Sequence, residues 1–225
     1  MNSPQRSTGS LAPDGALATA GFAFALLVIA QGIQLTAVVA GGAAYPGYDP
    51  VRQHISELGA TGAAAGPLVS WVGFVPAGLG IAAFCLIAGW LLRSSRMALT
   101  ACLLLALSGA GLAGSGVFPC AFECSHTPLT GGALAHDVVT GVGYVGGLVG
   151  MAVAAVWARS TSARWLAPLG AACVILSAAG MVALVAEIEF AGLLQRVMEA
   201  AFAVFLLAFG WALSRGRLPL TPVAA

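Results

Sequence analysis

The chain has 225 residues, of which 60% are hydrophobic and 8% charged, with a formal net charge of +1 and a mean hydropathy of +0.96. A soluble domain carries roughly 25% charged residues, so this composition excludes a water-facing globule and, with so small a net charge, a nucleic-acid partner. All nine basic residues are arginine, which removes lysine Schiff-base chemistry and the phosphate-binding lysine of a P-loop.

A membrane helix needs about 20 mainly apolar residues, and the sequence predicts six: about Gly15 to Gly41, Pro67 to Leu92, Met97 to Val117, His136 to Ala158, Trp165 to Ala186 and Leu193 to Leu213. The first run, interrupted only by Gln31 and Gln34, is too long for the apolar core of a cleaved signal peptide. The fold class is therefore all-α: residues 15–214 form a single six-helix transmembrane bundle, flanked by a disordered tail over 1–14 and a short tail over 215–225.

Orientation follows from arginine, because short Lys/Arg-rich loops stay cytoplasmic. Arg6, Arg93, Arg96, Arg159, Arg164, Arg215 and Arg217 fall on one side, with only Arg52 and Arg196 on the other. Seven of the eight acids and all three histidines map to that second side. Both termini are expected in the cytoplasm, with +6 on the inner side and −5 on the outer. The expected location is a bacterial inner membrane, in keeping with the lysine-free, Ala/Gly-rich composition. Membrane lipids are the expected partners.

Small residues let helices approach closely in lipid. Ala106, Ala110 and Gly114 in the third helix, and Gly143, Gly146, Gly147 and Gly150 in the fourth, form such seams. They suit packing within the monomer, and oligomerisation through them is the alternative. Val72-Gly-Phe-Val75 and Val142-Gly-Tyr-Val145 match at an offset of 70, which leaves an internal repeat open.

The first outer loop runs from Tyr45 to Ala60, with Pro46, Gly47 and Pro50 fixing an irregular entry. Arg52 to Leu58 is expected to make two turns of interfacial helix. Asp49, Arg52, His54, Ser56 and Glu57 are candidate site residues: either the loop is capped by its own polar groups, or His54, Ser56 and Glu57 hold a headgroup or a metal.

The stretch Asp49-Pro-Val-Arg-Gln-His-Ile-Ser-Glu-Leu-Gly-Ala60 resembles the bacterial membrane-protein family called domain of unknown function 998 (DUF998), and Gly192-Leu-Leu-Gln-Arg196 is similar to its C-terminal part. The resemblance covers roughly residues 15 to 215 and implies a fold but no activity. Ile55-Ser-Glu-Leu-Gly59 is also distantly similar to an Ile-Ser-Asp-Thr-Gly element of DRAM-type autophagy modulators and Golgi proteins of GPI-anchor remodelling, with Leu58 in place of threonine.

The second outer loop carries Cys120, Cys124 and His126, with His136 and Asp137 opening the fourth helix. Outside the cytoplasm the two cysteines suit a local disulfide. Together with His126 and His136 they are alternatively soft ligands for zinc. A third cluster, Glu187, Glu189, Gln195, Arg196 and Glu199, surrounds the last outer turn. Arg196 and Glu199 share a helix face, so Glu199 is expected to pair with Arg196 or to be protonated.

Three functions stay open. The first is an outer vestibule that binds a lipid or partner without turnover, built from Asp49, Arg52, His54, Ser56, Glu57, His136, Asp137, Glu187, Arg196 and Glu199. No cofactor is expected for it. The second is a metal-dependent lipid hydrolase with His54, His126 and His136 as zinc ligands and Asp137 or Glu57 as base. The third is a small transporter, hinted at by Pro76, Gln31 and Gln34 within helices.

Overall fold

In the computed structural model the described residues are 12–125 and 131–221. His126, most of the N-terminal tail and the last four residues lie outside them. Among the described residues, six helices are long and apolar enough to cross a membrane. They are α1 (Ala12–Ala44), α2 (Gly66–Leu91), α3 (Arg96–Val117), α4 (Gly131–Ala158), α5 (Leu166–Val185) and α6 (Ala191–Ser214). Consecutive helices pack side by side and α6 returns against α1, closing a ring. Large apolar side chains such as Trp71, Ile175 and Val182 face outward, as expected where lipid is the solvent.

α6 supplies much of the centre. Phe202, Phe205 and Phe209 are buried, and Phe209 meets Phe84 of α2 edge to face at 6.5 Å. The α3–α4 contact depends on missing side chains: a Cβ on Gly111 would lie 2.8 Å from Gly143 Cα, and one on Gly143 would lie 2.9 Å from Gly111 Cα. The seam of α3 is thus centred on Gly111, and Ala110, expected in it, is exposed. The four glycines expected in the α4 seam are all buried against this chain's own α3 and α6, so that seam is used within the monomer.

α2 is interrupted by Pro76. Proline cannot donate to the preceding turn and its ring crowds the carbonyl four residues back. The helix widens into a π-helix over Val69–Phe74 just before it. The corresponding stretch around Val142–Val145 is ordinary α-helix, so the two matching segments differ in backbone.

One end of the bundle carries the arginine loops. Thr221 N donates to Leu91 O at 2.7 Å, Ser162 Oγ donates to Arg217 O at 2.7 Å, and Arg93 lies over Trp90 at 4.7 Å. The first two contacts tie the end of α2 and the α4–α5 loop to the C-terminal segment. The opposite end is covered by the 45–65 loop and its neighbours.

A loop-capped cleft and the cavity beneath it

The 45–65 loop is a folded cap. The expected interfacial helix shrinks to one 3-10 turn, Ser56–Gly59, because side chains on either side satisfy the backbone instead. Asp49 Oδ1 accepts from Val51 N at 2.9 Å. Gln53 Oε1 accepts from Asp49 N at 2.7 Å, while its Nε2 donates to Glu57 Oε2 at 2.8 Å. The other oxygen of Glu57 accepts from His54 N at 2.7 Å. Ile55 and Leu58 turn inward onto Val69 and Phe74. Much of the Asp49–Ala60 motif is therefore used to fold the cap.

α6 receives this cap. Leu193 N donates to Val51 O at 2.9 Å, satisfying an otherwise orphaned donor of the first helical turn. Arg196 Nη1 donates to both Gln53 O and Gly192 O at 2.9 Å, and Nη2 donates to Tyr48 Oη. Tyr48 Oη donates onward to His54 O at 2.9 Å. Burial pushes the Tyr48 phenol above its ordinary pKa, with Arg196 opposing that shift, which fits a hydroxyl that keeps its proton and donates it.

Glu199 does not take Arg196, the partner its helical spacing suggested. Its Oε1 accepts from Tyr144 Oη at 2.8 Å and its Oε2 from Gln34 Nε2 at 3.2 Å. Gln195 completes the chain, accepting from Ile55 N at 2.7 Å and donating to Tyr144 Oη at 3.1 Å. One polar line thus runs from the cap, through α6 and α4, to α1.

Beside the cap lies a cleft of about 810 Å³ between α4, α5 and the loops. Of the candidate site residues, Arg52, His54, Ser56, Glu57, His136, Asp137 and Glu187 line it. Asp49 belongs to the cap itself, Arg196 holds the cap from α6, and Glu199 lies in a separate cavity. His136 and Asp137 do not open α4 but lie in its second turn, since the helix already runs from Gly131. The His136 ring, 6% exposed, has Nδ1 2.8 Å from Phe118 O; a carbonyl only accepts, so Nδ1 is the protonated nitrogen. Arg52 donates to Glu189 Oε1 at 2.6 Å across the rim.

The cleft is lined by two kinds of side chain. Glu57, Glu123, Asp137, Glu187 and Glu189 contribute carboxyl groups beside Arg52. The α5 wall is apolar, with Met181, Leu184 and Val185. Three non-glycine residues among those described have left-handed φ, Glu123 at 55°, Cys124 at 48° and Glu187 at 49°, and all three line this cleft.

Cys120 and Cys124 are joined as a disulfide with Cα atoms 4.9 Å apart. Thr61 N donates to Cys120 O at 2.9 Å, and Ser56 Oγ lies 3.3 Å from Cys124 Sγ, so this short loop is pinned to the cap. Among the described residues, the group of metal-capable side chains whose ligand atoms lie within 4.8 Å of one another is Cys120, Cys124 and His136. His54 is not in it, and His126 is outside the described residues.

Several functional groups were not singled out from the sequence. Tyr48, Gln53 and Tyr144 carry the network, and Gln34 stands out in the sequence only as a polar break in the first helix and a hint of transport. Their partners lie as far as 165 residues away, beyond any local spacing rule.

The family described as "Protein of unknown function (DUF998)" matches residues 28–212. The chain belongs to the DUF998 family. The match spans the bundle from the second half of α1 to the last turns of α6, so it includes the cap, the cleft and the cavity. No curated protein and no solved structure matches the chain. The family assignment therefore agrees with an uncharacterised multi-pass membrane protein.

Proposed function

We propose that this DUF998 protein binds a membrane phospholipid with an ammonium-bearing headgroup in the cleft between α4 and α5, without turnover. The observation that carries this reading is the two-sided lining: carboxyl groups from the loops and α4 share the cleft with an apolar α5 wall of Met181, Leu184 and Val185. Such a pairing matches an amphiphile in a bilayer, whose charged head meets the carboxyl groups and whose chains lie beside Leu184 and Met181. Glu123, Asp137 and Glu187 suit a cationic headgroup, Glu57 and Glu189 being engaged by the cap and by Arg52, while the two cleft histidines suit its phosphate. The left-handed residues lining the rim support a functional reading, since such backbone costs free energy and clusters at binding sites. By the arginine distribution we place the cleft on the outer face of a bacterial inner membrane, with both termini inside.

The test is binding of a fluorescent phosphatidylethanolamine to the purified protein in detergent, in competition with unlabelled phosphatidylethanolamine and phosphatidylglycerol. Preferential displacement by the ethanolamine lipid is expected, and equal displacement by both overturns the headgroup assignment. A second reading, a metal-dependent hydrolase, is favoured by the proximity of Cys120, Cys124 and His136. It requires the disulfide to open, because the thiolate is the metal ligand. Zinc retained after reduction, with loss of an acyl chain from bound lipid, would favour it.

A further inference from the structure

We infer that the cavity at the centre of the bundle is a binding site for a small monovalent cation of sodium's size, with the Glu199 carboxylate as its charged ligand. The cavity has about 50 Å³ and is lined from five of the six helices, α5 being absent. Glu199 lies eight residues into α6, about 12 Å from its start at 1.5 Å per residue. An uncompensated charge at such depth is costly. Its two hydrogen-bond partners, Tyr144 and Gln34, are both neutral. Arg196 is directed to the cap.

The hydroxyls around the cavity decide what can bring the missing positive charge. Ser108 Oγ donates to Leu105 O at 2.7 Å and Ser115 Oγ donates to Leu112 O at 2.7 Å. Thr140 Oγ1 donates to His136 O at 2.8 Å, and Tyr144 Oη donates to Glu199. A hydroxyl has one proton to give, so all four have committed theirs. What they retain is lone pairs: Thr140 and Tyr144, one turn apart on α4, share the cavity with the carboxylate, while Ser108 and Ser115, about 10 Å apart along α3 at 1.5 Å per residue, cannot both reach one ion. An acceptor-rich oxygen lining is the complement of a hard cation. One carboxylate balances one charge, which favours a monovalent ion over a divalent one. The volume admits an ion with a few waters.

The route in is visible too. Thr140 and Tyr144 line both this cavity and the outer cleft, so one layer of side chains separates the ion site from the cleft. The inference does not depend on the cleft holding a lipid.

Intramembrane carboxyls react with dicyclohexylcarbodiimide when protonated, and a bound cation blocks the reaction. The full chain in detergent is labelled at one fixed pH in sodium chloride or in choline chloride of equal ionic strength, and the adduct on Glu199 is followed by peptide mass spectrometry. We expect labelling several-fold slower in sodium, with the half-protecting sodium concentration raised several-fold in Thr140→Val. Sodium should also raise the unfolding midpoint of the wild type relative to choline, and not that of Glu199→Gln. Equal labelling rates in the two salts, or no adduct on Glu199 in either, overturns the inference.

Discussion

The backbone of Gln53 lies directly against Gly192: a Cβ added to that glycine would collide with the Gln53 carbonyl oxygen. That oxygen also accepts from Arg196. The first turn of α6 and the loop cap are thus seated by a residue with no side chain. Gly192→Ala should cost about 1–3 kcal/mol, the range for overpacking. A lowered midpoint of thermal unfolding in detergent, with faster amide exchange over residues 48–58, is the expected result.

Arg196 serves three acceptors with one planar group. Lysine keeps the charge but lacks that fork. Arg196→Lys should therefore destabilise by about 1–3 kcal/mol, seen as a lower unfolding midpoint, while Glu199 labelling in choline stays unchanged because the two side chains do not touch.

Tyr144 bridges Gln195 and Glu199. Tyr144→Phe should cost about 1–2 kcal/mol by leaving both without that partner. Because Gln195 acts through the same hydroxyl, the double variant Tyr144→Phe with Gln195→Leu should fall short of the sum of the single effects. Full additivity in thermal unfolding would contradict the continuous polar line.

The architecture was legible in the sequence because span length and arginine breaks are local properties. The same locality explains what was not. The Arg196–Glu199 spacing of three pointed to an ion pair, yet tertiary contacts with Gln34 and Tyr144 prevail over the shared helix face. The fourth helix is expected from about His136, and it instead starts five residues earlier at Gly131, placing His136 and Asp137 on the cleft wall. Within the motif, residue types suited to a site were visible, but only the fold separates Gln53, Glu57 and Arg196, which hold the cap together, from Asp137 and Glu187, which face the cleft.

Glu187 holds a left-handed φ of 49° on the cleft rim. Glycine adopts that conformation without the penalty of a Cβ. Glu187→Gly should stabilise the protein by up to about 1 kcal/mol while weakening binding of the ethanolamine lipid. A gain in unfolding midpoint with a loss of affinity in the fluorescence competition is the expected pattern.

Gly141 lines the cleft and has nothing within 4 Å of an added Cβ, so a large side chain there fills the cleft without disturbing the bundle. The most direct test uses phosphatidylethanolamine with a diazirine on its acyl chain, photolysed with the protein in nanodiscs and mapped by peptide mass spectrometry. Adducts concentrated on the α5 segment around Met181–Val185, and lost in Gly141→Trp with thermal stability retained, are the predicted result. Adducts spread evenly over the outward faces of all six helices, and unchanged by Gly141→Trp, would contradict a lipid-binding cleft.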